Sequence, residues 1–134
     1  MESFGNCEVI STYTRAEALE DGELVDVSAW GSADKGFHGG FVCQVAFTRA
    51  LWNAVEDIPE GLQGEQDTRG RAHDCLWMAV CALRAARRLD NQEAEFQVSL
   101  PVSEEDGRLA RLFVSLHGGD KGEPVVTIGF PEDF

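Results

Sequence analysis

A chain of 134 residues with 43% hydrophobic residues is long enough to bury a core without staples, which excludes wholesale disorder. Its 24 acidic residues against 11 Lys plus Arg give a net charge of -13, a field that repels nucleic acid and anionic membrane and favours basic protein surfaces. No apolar run approaches 18 residues without a charge, and no basic segment precedes an apolar one. A single domain over residues 1–134, cytosolic and with reduced thiols, is therefore expected.

In chain order, Cys7 to Tyr13 carries β-branched residues suited to a short strand. Thr14 then opens T-R-A-E, in which its hydroxyl caps a helix start and Glu17 reaches back to the cap amide. Ala18 and Leu19 give that short helix its apolar contacts, and Gly22 stands where a left-handed C-terminal cap is wanted. Leu24, Val25 and Val27 resume extended character. Ala29 to Gly40 is a glycine-rich loop with Trp30, Phe37 and His38, and its glycines match no phosphate-binding spacing. Phe41 to Phe47 is predicted as a strand with Phe41, Cys43, Val45 and Phe47 on one face and Val42 and Ala46 on the other. Thr48 caps a helix from Arg49 to about Val55, with Leu51, Trp52 and Val55 as its apolar cluster.

From Glu56 to Asp67 five acids, no base, Pro59, Gly61 and Gly64 define a loop. Arg71 to Leu89 is the longest stretch with helical spacing. Ala72, Cys75, Leu76, Ala79, Leu83 and Ala86 share one face, and Trp77, Val80 and Cys81 widen the stripe, which predicts a helix covered on more than one side. Trp52 and Trp77 are expected in the core, and the cysteines are expected to be buried. Phe96 to Val102 alternates as a strand, Glu104 to Arg108 is a turn, and Leu109 to Leu116 and Pro124 to Phe130 are further strands joined by H-G-G-D-K-G. The expected fold class is α+β. Its antiparallel sheet has a C-terminal three-stranded meander packed on the central helix, and the first half adds short helices and edge strands.

The chemistry-bearing residues are scattered. His73, Asp74 and Cys75 are adjacent on a helix and diverge, so they form no nucleophile and base by themselves. Three histidines and four cysteines show no zinc spacing, and no acidic run has a calcium-loop spacing. No catalytic, cofactor-binding or metal-binding residue is designated. Arg84, Arg87 and Arg88 close the central helix, where cations meet its partial negative charge.

The acids cluster at Glu17 to Asp26, Glu56 to Asp67, Asp90 to Glu95 and Glu104 to Asp106. Held on connecting segments, such clusters imitate the charge ladder of a nucleic-acid backbone and suit a basic groove; the plainer account is a solvated surface that keeps the chain soluble. The partner-binding residues designated are Glu56, Asp57, Glu60, Glu65, Asp67, Asp90, Glu93 and Glu95, with Trp30 as an aromatic anchor. The expected partner is a basic surface of a host protein or nucleoprotein complex, without direct contact to nucleic acid or membrane.

The run from Val9 through Thr14-Arg15-Ala16-Glu17 to Gly22, continued by Leu24-Val25-Asp26-Val27-Ser28, resembles the opening of an uncharacterised family of small acidic bacterial proteins carried on plasmids, conjugative elements and phages. Val45-Ala46-Phe47-Thr48, Leu76-Trp77-Met78-Ala79 and Gly122-Glu123-Pro124-Val125-Val126-Thr127-Ile128 are similar in the same order. The resemblance transfers no residue role. It implies an accessory product of a mobile element and, with the charge, a non-enzymatic inhibitor of host defence of the anti-CRISPR or anti-restriction type. Two alternatives stand beside it. One is an enzyme resembling the ADP-ribosyltransferases, prompted by Tyr13-Thr14-Arg15 before a short helix and a glycine; the other is a structural or regulatory adaptor of the element.

Overall fold

The computed structural model describes residues 13–28, 43–58, 60–62, 64, 67–100 and 109–134. Cys7 to Thr12, Trp30 and the rest of the glycine-rich loop, Phe41, Val42, Glu65 and the turn from Glu104 to Arg108 lie outside them. Helix α1, Arg15–Asp21, begins with the expected reciprocal cap: the Thr14 hydroxyl accepts from the Glu17 amide, and the Glu17 carboxylate accepts from the Thr14 amide, both at 3.0 Å. Gly22 ends it at φ 86°, a conformation that costs a residue without Cβ little. Strand β1, Leu24–Asp26, follows directly.

Strand β2, Gln44–Thr48, is buried on both faces from Val45 onward. Thr48 caps helix α2, Arg49–Glu56, by accepting from the Leu51 amide at 3.3 Å. Leu51 and Val55, four residues apart, are buried together, and Trp52 tilts against Phe47 with ring centroids 6.4 Å apart.

Helix α3, Thr68–Arg87, starts three residues before the apolar stripe suggested, because the Asp67 carboxylate accepts from the Gly70 amide at 2.7 Å and caps the helix there. It ends in a Schellman turn. Asn91 donates to the Ala86 carbonyl and Asp90 to that of Arg87, with Asp90 left-handed at φ 62° where glycine is more usual. The predicted stripe is buried throughout: Ala72, Cys75, Leu76, Ala79, Leu83 and Ala86. Ala72, Ala79 and Ala86 repeat every seven residues along it. The expectation of cover on a second side is corrected. Trp77 is 40% exposed, and Met78 and Cys81 are exposed, because α3 lies on one face of the sheet and turns its other side outward. Trp77 is thus not a core residue, and Cys81 is not a buried thiol.

Strands β3, Glu93–Ser99, β4, Leu109–Gly118, and β5, Pro124–Gly129, form the expected antiparallel meander. The sheet order is β1-β2-β5-β4-β3, so the first-half strands add to the β5 side. β2 runs parallel to β5, which makes the sheet mixed; the crossover that such a pair needs is supplied by everything from α2 to β4. β5 becomes the central strand and is buried from Val125 to Gly129. Val45, Phe47, Phe96, Val98, Leu112, Val114, Val126 and Ile128 meet α2 and α3 to form the core. Burying one such side chain fully contributes roughly 1.5 to 3 kcal/mol.

Candidate functional site

Strand alternation sends the remaining side chains to the opposite face, where Ala46 lies beside Thr127, Gln44 beside Val125, and Ser115 beside Thr127. Helix α1 docks on this side through Arg15. Its Nε donates to Gln44 Oε1 at 2.6 Å, its Nη1 to Thr127 Oγ1 at 2.6 Å, and its Nη2 to the Val126 carbonyl at 2.9 Å. A cleft of about 390 Å³ opens between α1, the β4–β5 loop and a closing 3-10 turn, Pro131–Asp133. Tyr13, Thr14, Ala18, Thr48, His117, Asp120, Asp133 and Phe134 line it with Arg15 and Thr127.

The hydrogen bonds in its floor fix their own direction. His117 Nδ1 faces the Gly118 carbonyl at 3.1 Å, and a carbonyl only accepts, so Nδ1 carries the proton. In the neutral ring Nε2 then accepts from the Thr127 hydroxyl at 2.8 Å, leaving the Thr127 oxygen to accept from Arg15. A hydroxyl donating to an imidazole has the form of a nucleophile and its base. Here an Arg15 N–H occupies the oxygen that would attack, and Thr127 is only 7% exposed. The chain of bonds holds α1 to the sheet. Burial lowers the pKa of Arg15, with Asp26 and Asp120 opposing the shift, and a guanidinium stays charged throughout.

Two carboxylates clamp the cleft walls. Asp120 in the β4–β5 loop accepts from the amides of Arg15 at 2.7 Å and Ala16 at 2.9 Å, and these two bonds hold its carboxyl below the ordinary value. Its charge sits at the positive end of α1. Asp133 Oδ2 accepts from the Thr48 hydroxyl at 2.7 Å and from the Phe130 amide at 2.8 Å. Gly129, the last residue of β5, sits so close to both partners that an added Cβ would lie 2.5 Å from Thr48 Cγ2 and 2.9 Å from Asp133 Oδ2. At the rim, Tyr13 donates to Asp21 at 2.7 Å, a bond that pushes its phenol up to about 12. Phe134 meets Phe113 edge-on, centroids 4.8 Å apart.

The acids designated from the sequence do not converge. Asp67 and Asp90 bracket a helix of 20 residues and so stand about 30 Å apart. Each has a local task, one as N-cap and the other in the Schellman turn. Glu93 accepts from Ser115 at 3.2 Å and Glu95 pairs with Arg111 at 3.0 Å, both on the sheet face turned away from α3. Glu56, Asp57 and Glu60 are exposed between α2 and α3, on the helix side. Glu65 and Trp30 fall outside the described residues.

Cys75 is buried and its thiol is pushed up to about 12, chiefly by desolvation, which disfavours the thiolate a nucleophile needs. His73 lies 3.8 Å from Asp74 at the exposed surface. Among the described residues no group of three or more His, Cys, Asp or Glu could hold a metal ion, and no helix is long and apolar enough to cross a membrane. Arg71 is 3% exposed, and its Nε and Nη2 donate to the carbonyls of Val55 and Ala54 at 3.1 and 3.0 Å. It closes the carbonyl end of α2 from within α3. Burial lowers its pKa, against the pull of Cys75 and Asp57.

Sequence reasoning missed the cleft because its polar partners are remote; Arg15 and Thr127 are 112 residues apart. The available signal was Thr127 itself, a hydroxyl in a strand otherwise read as apolar. No curated protein and no solved structure matches the chain. The family model that does match, over residues 1–134, has only a number and the description "family of unknown function", and on that match the chain belongs to the DUF6573 family.

Proposed function

We propose that this protein is a non-enzymatic acidic inhibitor that binds a basic, nucleic-acid-handling surface of a host defence protein, of the anti-CRISPR or anti-restriction type, as the accessory product of a mobile element. One observation carries the reading: along α1 and β1 the fold turns its anions outward and draws the nearby cations, Arg15 and Arg49, in, although Arg69, Arg84, Arg87, Arg88, Arg111 and Lys121 elsewhere are exposed. Every acidic residue among those described is exposed, whereas Arg15 and Arg49 are half-buried and Arg71 is buried. The contrast is greatest along α1 and β1, at the sheet edge. There Glu17, Glu20, Asp21, Glu23 and Asp26 face solvent, while Arg15 bonds to the sheet and Arg49 Nε donates to the Gly22 carbonyl at 2.6 Å. A field with its local counter-charges withdrawn attracts a basic groove over a distance set by salt.

Incubating the protein with a CRISPR interference complex or a restriction enzyme, and measuring DNA binding over a salt series, tests this. Inhibition that is strong at low salt and fades as salt rises is expected, with loss in the triple variant Glu20→Lys, Glu23→Lys, Asp26→Lys. No inhibition at any salt overturns the reading. A pull-down that recovers element-encoded rather than host proteins would favour the adaptor role. The transferase alternative gains no support from geometry, since Tyr13, Thr14 and Arg15 are each bonded within the chain.

A further inference from the structure

We infer that the cleft between α1 and the closing turn receives one arginine side chain of the partner, an inference that rests on the basic-partner reading. Of the charged groups lining the cleft, Arg15 gives its Nε, Nη1 and Nη2 bonds to the sheet, and its charge bears on Asp120. Asp120 and Asp133 remain exposed. Asp133 accepts from Thr48 and Phe130 at Oδ2, which leaves Oδ1 without a partner among the described residues. Two aromatic rings complete the wall: Tyr13 is 54% and Phe134 52% exposed, unusual for large apolar groups on so polar a surface.

Exposed rings beside solvent-facing carboxylates attract a cation through charge and through the ring face together. A guanidinium suits them better than an ammonium, because it is planar, weakly hydrated and stacks while it donates. The cleft opens beside the acidic α1–β1 edge, since Leu24 of β1 lines it. A basic surface drawn to that edge therefore has a place to insert a side chain.

Tyr13 is the only tyrosine in the chain, so protein labelled with ¹³C in its tyrosine ring gives one aromatic reporter at the cleft. Titration with N-acetyl-arginine amide should shift that signal saturably, and the neutral isostere N-acetyl-citrulline amide should not. Asp133→Asn keeps a carbonyl oxygen for Thr48 and Phe130 and should weaken binding roughly three- to fivefold, as expected for an exposed ion pair. Phe134→Ala should weaken it about as much. No saturable shift, an equal response to citrulline, or unchanged affinity in Asp133→Asn overturns the cleft as an arginine receptor. If the probe binds but no salt-dependent inhibition is seen, the cleft stands and the inhibitor reading falls. Inhibition without probe binding removes the cleft and leaves the acidic edge.

Discussion

The two faces of one sheet are held in different ways. Toward α2 and α3 the strands present Val45, Phe47, Phe96, Val98, Leu112, Val114, Val126 and Ile128, and cohesion there comes from apolar area removed from water. Toward α1 the same strands present Gln44, Thr48, Ser115, His117 and Thr127 beside the buried Ala46 and Val125, and directed hydrogen bonds to Arg15 and Asp133 add to the apolar contact. Apolar packing tolerates approximate shape, whereas each polar bond needs one partner at one place. The helix side is therefore built for stability, and the α1 side for a defined charge pattern.

Substitutions on each face should separate the two. Leu76→Ala, at a fully buried position on the inner face of α3, should cost roughly 2 to 5 kcal/mol in urea unfolding, the largest effect. Arg71→Ala probes the polar exception on the apolar side. Leaving the buried Val55 carbonyl and the part-buried Ala54 carbonyl without their donor should cost about 2 to 3 kcal/mol. Thr127→Val keeps the shape and removes the hydroxyl between Arg15 and His117, for about 1 to 2 kcal/mol, with faster amide exchange in α1 than in α3. A global loss equal to that of Leu76→Ala would erase the distinction between the faces.

The smallest effect is one of pH. Asp120 has a folded pKa below its ordinary 3.8, so its contribution is present above that value and is lost as pH falls through the lower folded one. Amide protection at Arg15 and Ala16 should decline in that acid window, and Asp120→Asn should flatten the decline.

What the sequence revealed followed the same division. The α3 stripe, the meander, both N-caps of the short helices and Gly22 are local or periodic features, and local spacing encodes them. Apolar spacing starts α3 at Arg71 because Thr68, Arg69 and Gly70 carry no apolar signal, although Asp67 is there to cap. Trp77 and Cys81 read as core in the sequence and lie exposed in the fold because composition cannot tell a helix on a sheet from one between two layers. The Arg15–Thr127–His117 chain and the Asp120 clamp were invisible, since nothing in a single sequence links residues about a hundred positions apart. The parallel β2–β5 pair was hidden for the same reason.

The clamp of Asp120 on α1 also orders events in time. A helix of seven residues is too short to persist alone, and its first amides find Asp120 only after β4 and β5 have paired. Helix α1 is thus expected to dock late in folding and to be released early in unfolding, with substitutions there changing the unfolding rate more than the folding rate. Each release returns the Arg15 guanidinium to water among Glu17, Glu20 and Asp21, so the lifetime of one docked helix also sets how long the edge keeps its full negative field.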